Sequence, residues 1–299
     1  MNRRQLLQGL AALALVGCGS DTVQSSLNGS GPTLLAPTFL LSAQAAEILI
    51  RSGALLLAAD SIHEAHRAPL LGGALRVDVD ALTTLTEQPD GLTQVSALQA
   101  FFRALGVDET VPVVVYDDGE MKFAARVRFL LGYCGLAPSW IVNGGAPALQ
   151  SLLPAGGGLA APSVFLARIT NSPIALVFQQ DVLAALGSGV KILDVRTPEE
   201  FSGQKLLPGD ARPGHIPGAR NVPVETFFSQ GLIVSNEALR VLFAAAGLAP
   251  GDTLIVYCHD GAKSSLAATL LVQCGFSQVN LYYLSYQDWS QNPALPVEV

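Results

Sequence analysis

The run Leu254-Ile255-Val256-Tyr257-Cys258-His259-Asp260-Gly261-Ala262-Lys263-Ser264-Ser265-Leu266 joins four strand-forming residues to a cysteine and a short polar turn. A helical pattern follows, continued by Leu270, Leu271 and Cys274. A cysteine at such a junction faces the first backbone N–H groups of the helix, which have no acceptors inside it, and Lys263 adds a positive charge nearby. Both favour thiolate over thiol, and the thiolate is the attacking form. The chemistry expected is nucleophilic attack by the sulfur of Cys258. The bland alternative is a small buried apolar residue, the usual fate of a free cysteine. His259, Asp260 and Lys263 make a polar continuation for a core position.

The elements that must position this turn occur twice. Gly106-Val107-Asp108-Glu109-Thr110-Val111-Pro112-Val113-Val114-Val115-Tyr116-Asp117 aligns with Gly247 to Cys258, and Leu131 to Gly135 aligns with Leu271 to Gly275 after a one-residue shift. Gly73-Ala74 answers Gly218-Ala219. Strand-like runs alternate with helical ones in each copy, which predicts an α/β protein of two tandem domains, each a parallel sheet with helices on both faces. The expected organisation is a leader over 1–18, a flexible tether over 19–38, a first domain over 39–155, a linker over 156–175 and a second domain over 176–299. Only the second copy keeps a thiol at the junction. Asp117 occupies the first copy's equivalent position, and a carboxylate cannot accept a sulfur atom as a thiolate does.

Tyr257-Cys258-x-x-Gly261-x-Lys263-Ser264 resembles the active-site loop of rhodanese domains, the sulfurtransferase family. Three further segments agree in order: Leu193-Asp194-Val195-Arg196-Thr197-Pro198-Glu199-Glu200-Phe201, Gly214-His215-Ile216-Pro217-Gly218-Ala219-Arg220-Asn221-Val222-Pro223, and Trp289 through Val297. The arrangement is similar to two-domain thiosulfate and 3-mercaptopyruvate sulfurtransferases, in which a non-catalytic rhodanese-like domain packs on a catalytic one. The resemblance implies that Cys258 takes a sulfane sulfur from a small anionic donor as a persulfide and passes it to a thiol or cyanide. It implies no cofactor.

The loop His259, Asp260, Gly261, Ala262, Lys263 and Ser264 is then the substrate-binding segment, its N–H groups holding negative charge and Lys263 pairing with the donor. Asp194 and Arg196 are supporting residues by resemblance; a turn cap and a salt bridge are their plain readings. His259 is either a proton donor or an exposed turn residue, and His215 is read as a packing and hydrogen-bonding residue. Two departures from the family stand out. Asp260 is expected to repel a dianionic donor, and Glu200 lies where a substrate-binding arginine is usual, with Arg212 as the candidate to compensate. His63 and His66 lack a third ligand, so no metal is expected.

Met1 to Cys18 reads as an export signal. Arg3-Arg4 precedes an apolar stretch from Leu6 to Val16, too short for a bilayer span, and Leu15-Val16-Gly17-Cys18 resembles a bacterial lipobox with Cys18 as the lipidated residue. Asn2-Arg3-Arg4-Gln5-Leu6-Leu7 resembles a twin-arginine signal. The expectation is a periplasmic lipoprotein of the bacterial cell envelope, touching the membrane only through its lipid. With Cys18 modified, Cys134, Cys258 and Cys274 remain, an odd number, and no disulfide is expected to use Cys258.

Half the chain is apolar and the net charge is −7, or −9 with Arg3 and Arg4 set aside (15 basic against 24 acidic residues), without a basic run. That excludes a nucleic-acid surface. A cysteine phosphatase needs an arginine six positions after the cysteine, where Ser264 stands. The remaining rival to the enzyme is an exported rhodanese-like protein that carries sulfur or senses redox state at Cys258 without efficient turnover.

Overall fold

Val113-Val114-Val115-Tyr116 and the last four residues of Thr253–Tyr257 are buried at every position, as strands must be when helices cover both faces of their sheet. The computed structural model describes residues 38–299 except 64–66, 89, 137, 161–162 and 170–171. The export signal, Cys18, the tether to residue 37 and His66 lie outside the described residues.

The first half runs β1 (Leu40–Leu41), α1 (Ala43–Arg51), β2 (Leu55–Asp60), β3 (Leu75–Asp78), α2 (Val79–Thr86), α3 (Val95–Ala104), β4 (Val113–Tyr116), α4 (Lys122–Tyr133), β5 (Ser139–Val142) and α5 (Gly145–Leu149). The second begins with β6 (Ile174–Val177), α6 (Gln179–Ala185), β7 (Lys191–Asp194), α7 (Pro198–Phe201) and β8 (Arg220–Asn221). A 3-10 turn (Val224–Phe227) and a hairpin of β9 (Phe228–Ser229) and β10 (Leu232–Ile233) lead into α8 (Asn236–Ala245), β11 (Thr253–Tyr257), α9 (Ala262–Gln273), β12 (Gln278–Tyr282) and α10 (Ser285–Gln291). The sheet orders are β1-β5-β4-β2-β3 and β6-β12-β11-β7-β8, and all pairings in both are parallel. Strand for strand the two halves have one topology, with β4 and β11 central.

The repeat persists where its letters have changed. Tyr257 Oη accepts the N–H of Ile216 at 3.2 Å, and Tyr116 Oη accepts that of Leu71 at 3.1 Å, so Leu70-Leu71-Gly72 and His215-Ile216-Pro217 are tied to their central strands by the same bond. Parts of the stretch that connects the halves pack on the first half. Ala155 and Gly157 form β-bridges to Leu71 and Ala74, Phe165 is buried, and the Arg168 N–H donates to the Cys134 carbonyl at 2.9 Å. Ile174 and Ala175 already belong to β6. At these positions the chain is fastened to the first half, and its glycines fit where a Cβ at 157 or 158 would strike Leu70 or Gly73.

The halves meet through α4 and α9. In α9 every residue but Lys263 is buried, and α4 is buried at ten of its twelve positions, so neither is amphipathic. One apolar core runs through both, from Phe129 and Leu130 to Leu266 and Leu270. Phe129 stacks on Tyr283 with centroids 5.9 Å apart, and Gln273 Oε1 accepts the Phe39 and Leu40 N–H groups at 3.1 and 3.2 Å.

Two arginines lie inside this interface. Arg128 has no carboxylate within ion-pair distance among the described residues. It donates to the Ser139 carbonyl (3.3 Å) and Thr269 Oγ1 (3.4 Å), stacks 3.6 Å from the Phe39 ring centroid, and burial pulls its pKa down to about 9. A lone buried guanidinium loses its hydration with no ion pair to offset the loss, so an apolar group of similar length removes that penalty. Arg128→Met is therefore expected to leave the thermal midpoint unchanged or to raise it. A midpoint several degrees below wild type would overturn this account of the interface.

Candidate active site

Strand β11 ends at Tyr257, which pairs with Asp194 of β7, and Cys258 is the first residue past the carboxyl end of the sheet, where open α/β sheets place their ligands. The chain then turns within three residues into α9. Gly261 makes this possible: its φ is +93°, and a Cβ there would lie 2.1 Å from the Tyr283 carbonyl oxygen. Its N–H donates to Cys258 Sγ at 3.1 Å. The loop is also held from below by α10, whose Tyr286 and Gln287 N–H groups donate to the carbonyls of Cys258 (3.0 Å) and His259 (2.9 Å). Ser285 Oγ accepts the Cys258 N–H at 3.1 Å and stands 4.0 Å from Sγ, from a backbone with φ +61°, a conformation tolerated only where the surroundings impose it.

The sulfur is less accessible than a nucleophile at a cleft mouth would suggest, since Cys258 has 0% exposure. Its surroundings are polar on one side: the Gly261 amide, Ser285 Oγ and, at 3.9 Å, Asp260 Oδ1. Cys134 and Cys274, at the ends of α4 and α9, are free and buried as well. Burial pushes their thiols up to about 12 and about 11, which keeps them protonated.

Asp260 contradicts the repulsion expected of it. Its Oδ2 lies 2.9 Å from Arg126 Nη2, whose guanidinium reaches across from α4 in the other half and also donates to the Asp260 carbonyl and to Thr83 Oγ1 (2.6 Å). Burial would raise the Asp260 carboxyl; Arg126, the Ala262 N–H and His259 outweigh it and hold the pKa at about 2. The charge at 260 is thus already neutralised. Arg126 escaped the sequence reading. The readable signal was an arginine inside the apolar run Phe123-Ala124-Ala125-Arg126-Val127, on the helix that repeats the one after Cys258.

His259 is partly buried, with Nε2 3.3 Å from Asp210 Oδ1; burial opposes its protonation, and Asp210, Asp260 and Glu200 raise its pKa against that. Lys263 pairs with Glu225 at 2.8 Å, and its pKa is raised by Glu225, Glu200 and Cys258 against the opposing effect of burial. It borders an interhalf cleft of about 440 Å³, lined also by Gly119, Glu120, Lys122, Val224 and Glu225. Ser264 Oγ is buried without a partner among the described residues. Glu200 is 5% exposed.

Asp194 and Arg196 form a buried bidentate pair (Nη2 to Oδ2 2.7 Å, Nε to Oδ1 3.1 Å) that also grips the Gly214 carbonyl at 2.8 Å, so they fix the loop before β8. Arg212 does not compensate for the missing arginine: it donates to the carbonyls of Trp289, Ser290, Asn292 and Leu295 and clamps the chain's last turn. His215 stacks on Phe201 with centroids 3.7 Å apart.

The first half shows what such a loop binds. Asp117, at the cysteine's position, is wholly buried and takes four backbone N–H groups, Gly119 (3.0 Å) and Met121 (2.9 Å) on Oδ1, Phe123 and Ala124 (3.1 Å each) on Oδ2. Burial pushes its carboxyl up to about 6 against the pull of these amides. Helices α4 and α9 are both twelve residues long, so Met121, Phe123 and Ala124 correspond to Gly261, Lys263 and Ser264. The Gly261 amide already meets Sγ, whereas those of Lys263 and Ser264 have no acceptor among the described residues.

A cysteine on a strand-to-helix turn whose first amides point at it or lack acceptors, in one of two tandem parallel-sheet domains, is an arrangement suited to thiol-dependent group transfer. Residues 178–292 match the model of the rhodanese-like domain. The chain is 34% identical over 250 residues to a putative thiosulfate sulfurtransferase of Mycobacterium tuberculosis, covering 79% of this chain and 85% of that one. It is 29% identical over 231 residues to the 3-mercaptopyruvate sulfurtransferase of Escherichia coli, covering 76% and 82%. The crystal structure of the Escherichia coli 3-mercaptopyruvate enzyme SseA shares the fold at a TM-score of 0.73 and 24% identity, over 83% of this chain and 99% of that one. The chain belongs to the rhodanese family and is a sulfurtransferase.

The Asp260 carboxyl is held below its unfolded pKa, so the stability it lends is complete above about pH 4 and is lost as pH falls through about 2. The pH-dependent part of the difference in thermal midpoint between wild type and Asp260→Asn should accordingly shrink between pH 5 and pH 2.5. An unchanged difference across that window would mean that Arg126 does not hold the carboxylate.

Proposed function

We propose that this sulfurtransferase takes a sulfane sulfur from a small anionic donor, thiosulfate or 3-mercaptopyruvate, onto Cys258 and passes it to a thiol or to cyanide. The observation that carries the reading is the set of amides at the start of α9. In the first half the matching amides hold both oxygens of a carboxylate. In the second, one meets Sγ and two have no acceptor, which suits a second sulfur bonded to the first.

The Cys258 thiolate attacks the outer sulfur of thiosulfate, an S–S bond forms as the old one breaks, and sulfite leaves with the electron pair. With 3-mercaptopyruvate the C–S bond breaks instead, and the enolate of pyruvate leaves and takes a proton. The outer sulfur of the persulfide then rests against the Lys263 and Ser264 amides, fixed dipoles that need no reorganisation, with the unpartnered Ser264 hydroxyl beside them. Lys263 supplies positive charge that it shares with Glu225, and His259 adds to it when protonated. An acceptor thiolate or cyanide attacks the outer sulfur, and the pair in the S–S bond returns to Cys258.

The test is intact-protein mass spectrometry after incubation with each donor, followed by acceptor. A gain of one sulfur atom is expected in wild type and not in Cys258→Ser, together with repeated turnover once cyanide or a thiol is added. The complete burial of Cys258 favours one rival, a carrier that makes a single transfer, and it predicts a burst of one sulfite per chain with no cycling.

The protein is further proposed to be a lipoprotein of the bacterial envelope, exported by the twin-arginine route and anchored through Cys18. Arg3-Arg4, the apolar run to Val16 and the residues before Cys18 support this. Cell fractionation should find the wild type with membranes and Cys18→Ala in the soluble fraction or as an uncleaved precursor. Identical fractionation of the two, with Cys18→Ala at the same processed size as wild type, would remove the anchor from the account.

A further inference from the structure

The open question at the site is what covers the sulfur. Asp260 Oδ1 stands 3.9 Å from Sγ and accepts the Ala262 N–H at 3.2 Å, one of the first amides of α9. Oδ2 lies on Arg126, 2.9 Å away. One carboxylate thus holds a helix-end amide and a cation from the opposite half beside the nucleophile, as a bound anion would. Arg126 has little else: it is 1% exposed, its Nε is without a partner, and Asp260 is its sole ion-pair partner among the described residues, with Glu87 further out. A guanidinium buried to this degree loses stability when its anion leaves, and an incoming anion offsets that loss. The Asp260 side chain is 34% exposed and has solvent to turn into, whereas Arg126 is fixed by Thr83 and lies over the Tyr283 ring at 5.5 Å.

We propose that Asp260 is a resident anion that occupies the donor's place, and that an anionic donor displaces it from Arg126, which makes an arginine of the thiol-free half a donor-binding residue. This rests on the reading of Cys258 as the sulfur acceptor and extends it. The donor arrives beside Sγ only as Asp260 leaves, so the resident carboxylate raises the concentration of donor required without taking part in the S–S exchange. Asp117 shows the limiting case, a carboxylate that fills its own loop completely and cannot be displaced because it sits on the strand end itself.

Steady-state kinetics with thiosulfate and 3-mercaptopyruvate, cyanide as acceptor, test this. Asp260→Asn should lower the donor KM about tenfold with kcat within about threefold of wild type. Adding Arg126→Gln to Asp260→Asn should raise KM again by about tenfold, with Arg126→Lys restoring part of the loss. A KM unchanged or raised in Asp260→Asn, or a double variant indistinguishable from Asp260→Asn, overturns the proposal. A second readout needs no turnover: sulfate should protect Cys258 from iodoacetamide at about tenfold lower concentration in Asp260→Asn than in wild type, and equal concentrations would refute displacement. If neither donor loads sulfur on the wild type, the sulfur-transfer reading fails, and the sulfate experiment still decides the role of Asp260.

Discussion

Both halves of the molecule face the same constraint at the same point. A largely buried helix begins directly after a buried strand, and its first amide groups have no acceptors in the helix. An anion must be supplied from the turn. The first half answers with Asp117, whose two oxygens take four N–H groups; the second answers with Cys258 for one amide, Asp260 for another, and leaves two open. The chemistry of the site follows from that incomplete answer, because a persulfide is the anion that completes it.

The same packing explains why the thiol-free half is needed. Helices α4 and α9 are buried on all sides against each other, so a charge on either must be met inside the interface. Arg126 is met by Asp260 of the active loop; Arg128, two residues on, has only neutral oxygens and a phenyl ring. The contrast places the functional weight on Arg126. One arginine links the halves through the loop that carries the nucleophile, and the other is tolerated.

Much of this could be read from the sequence. The strand, cysteine, polar turn and helix around Cys258, the two copies, and the carboxylate at Asp117 are local patterns, fixed by residue type and spacing. What could not be read was direction between distant segments. Arg212 was a candidate for the cleft because it follows Glu200 in a loop, yet its guanidinium turns to four carbonyls near the chain end. Asp260 reads as a repulsive charge when taken alone, since its partner lies 134 residues away and meets it only after two domains have docked. Nor could the contacts of the connecting glycines be read, since a glycine that permits close approach looks the same in sequence as one that permits freedom.

The charges around the turn form a closed account. His259 faces Asp210, Lys263 faces Glu225, Arg126 faces Asp260, and Glu200 raises the pKa of both His259 and Lys263. The two permanent cations of the site, Lys263 and Arg126, are thus already matched, so long-range attraction of an anion to this site is weak and selectivity must come from contact. Contact favours a ligand that replaces a carboxylate at short range and places a sulfur against two vacant amides at the same time. A donor that combines an anionic group with a transferable sulfur one or two bonds away meets both requirements, whereas a simple anion meets the first alone. The thiol-free half therefore contributes to selection as well as to stability, since the cation that such a donor must reach belongs to α4.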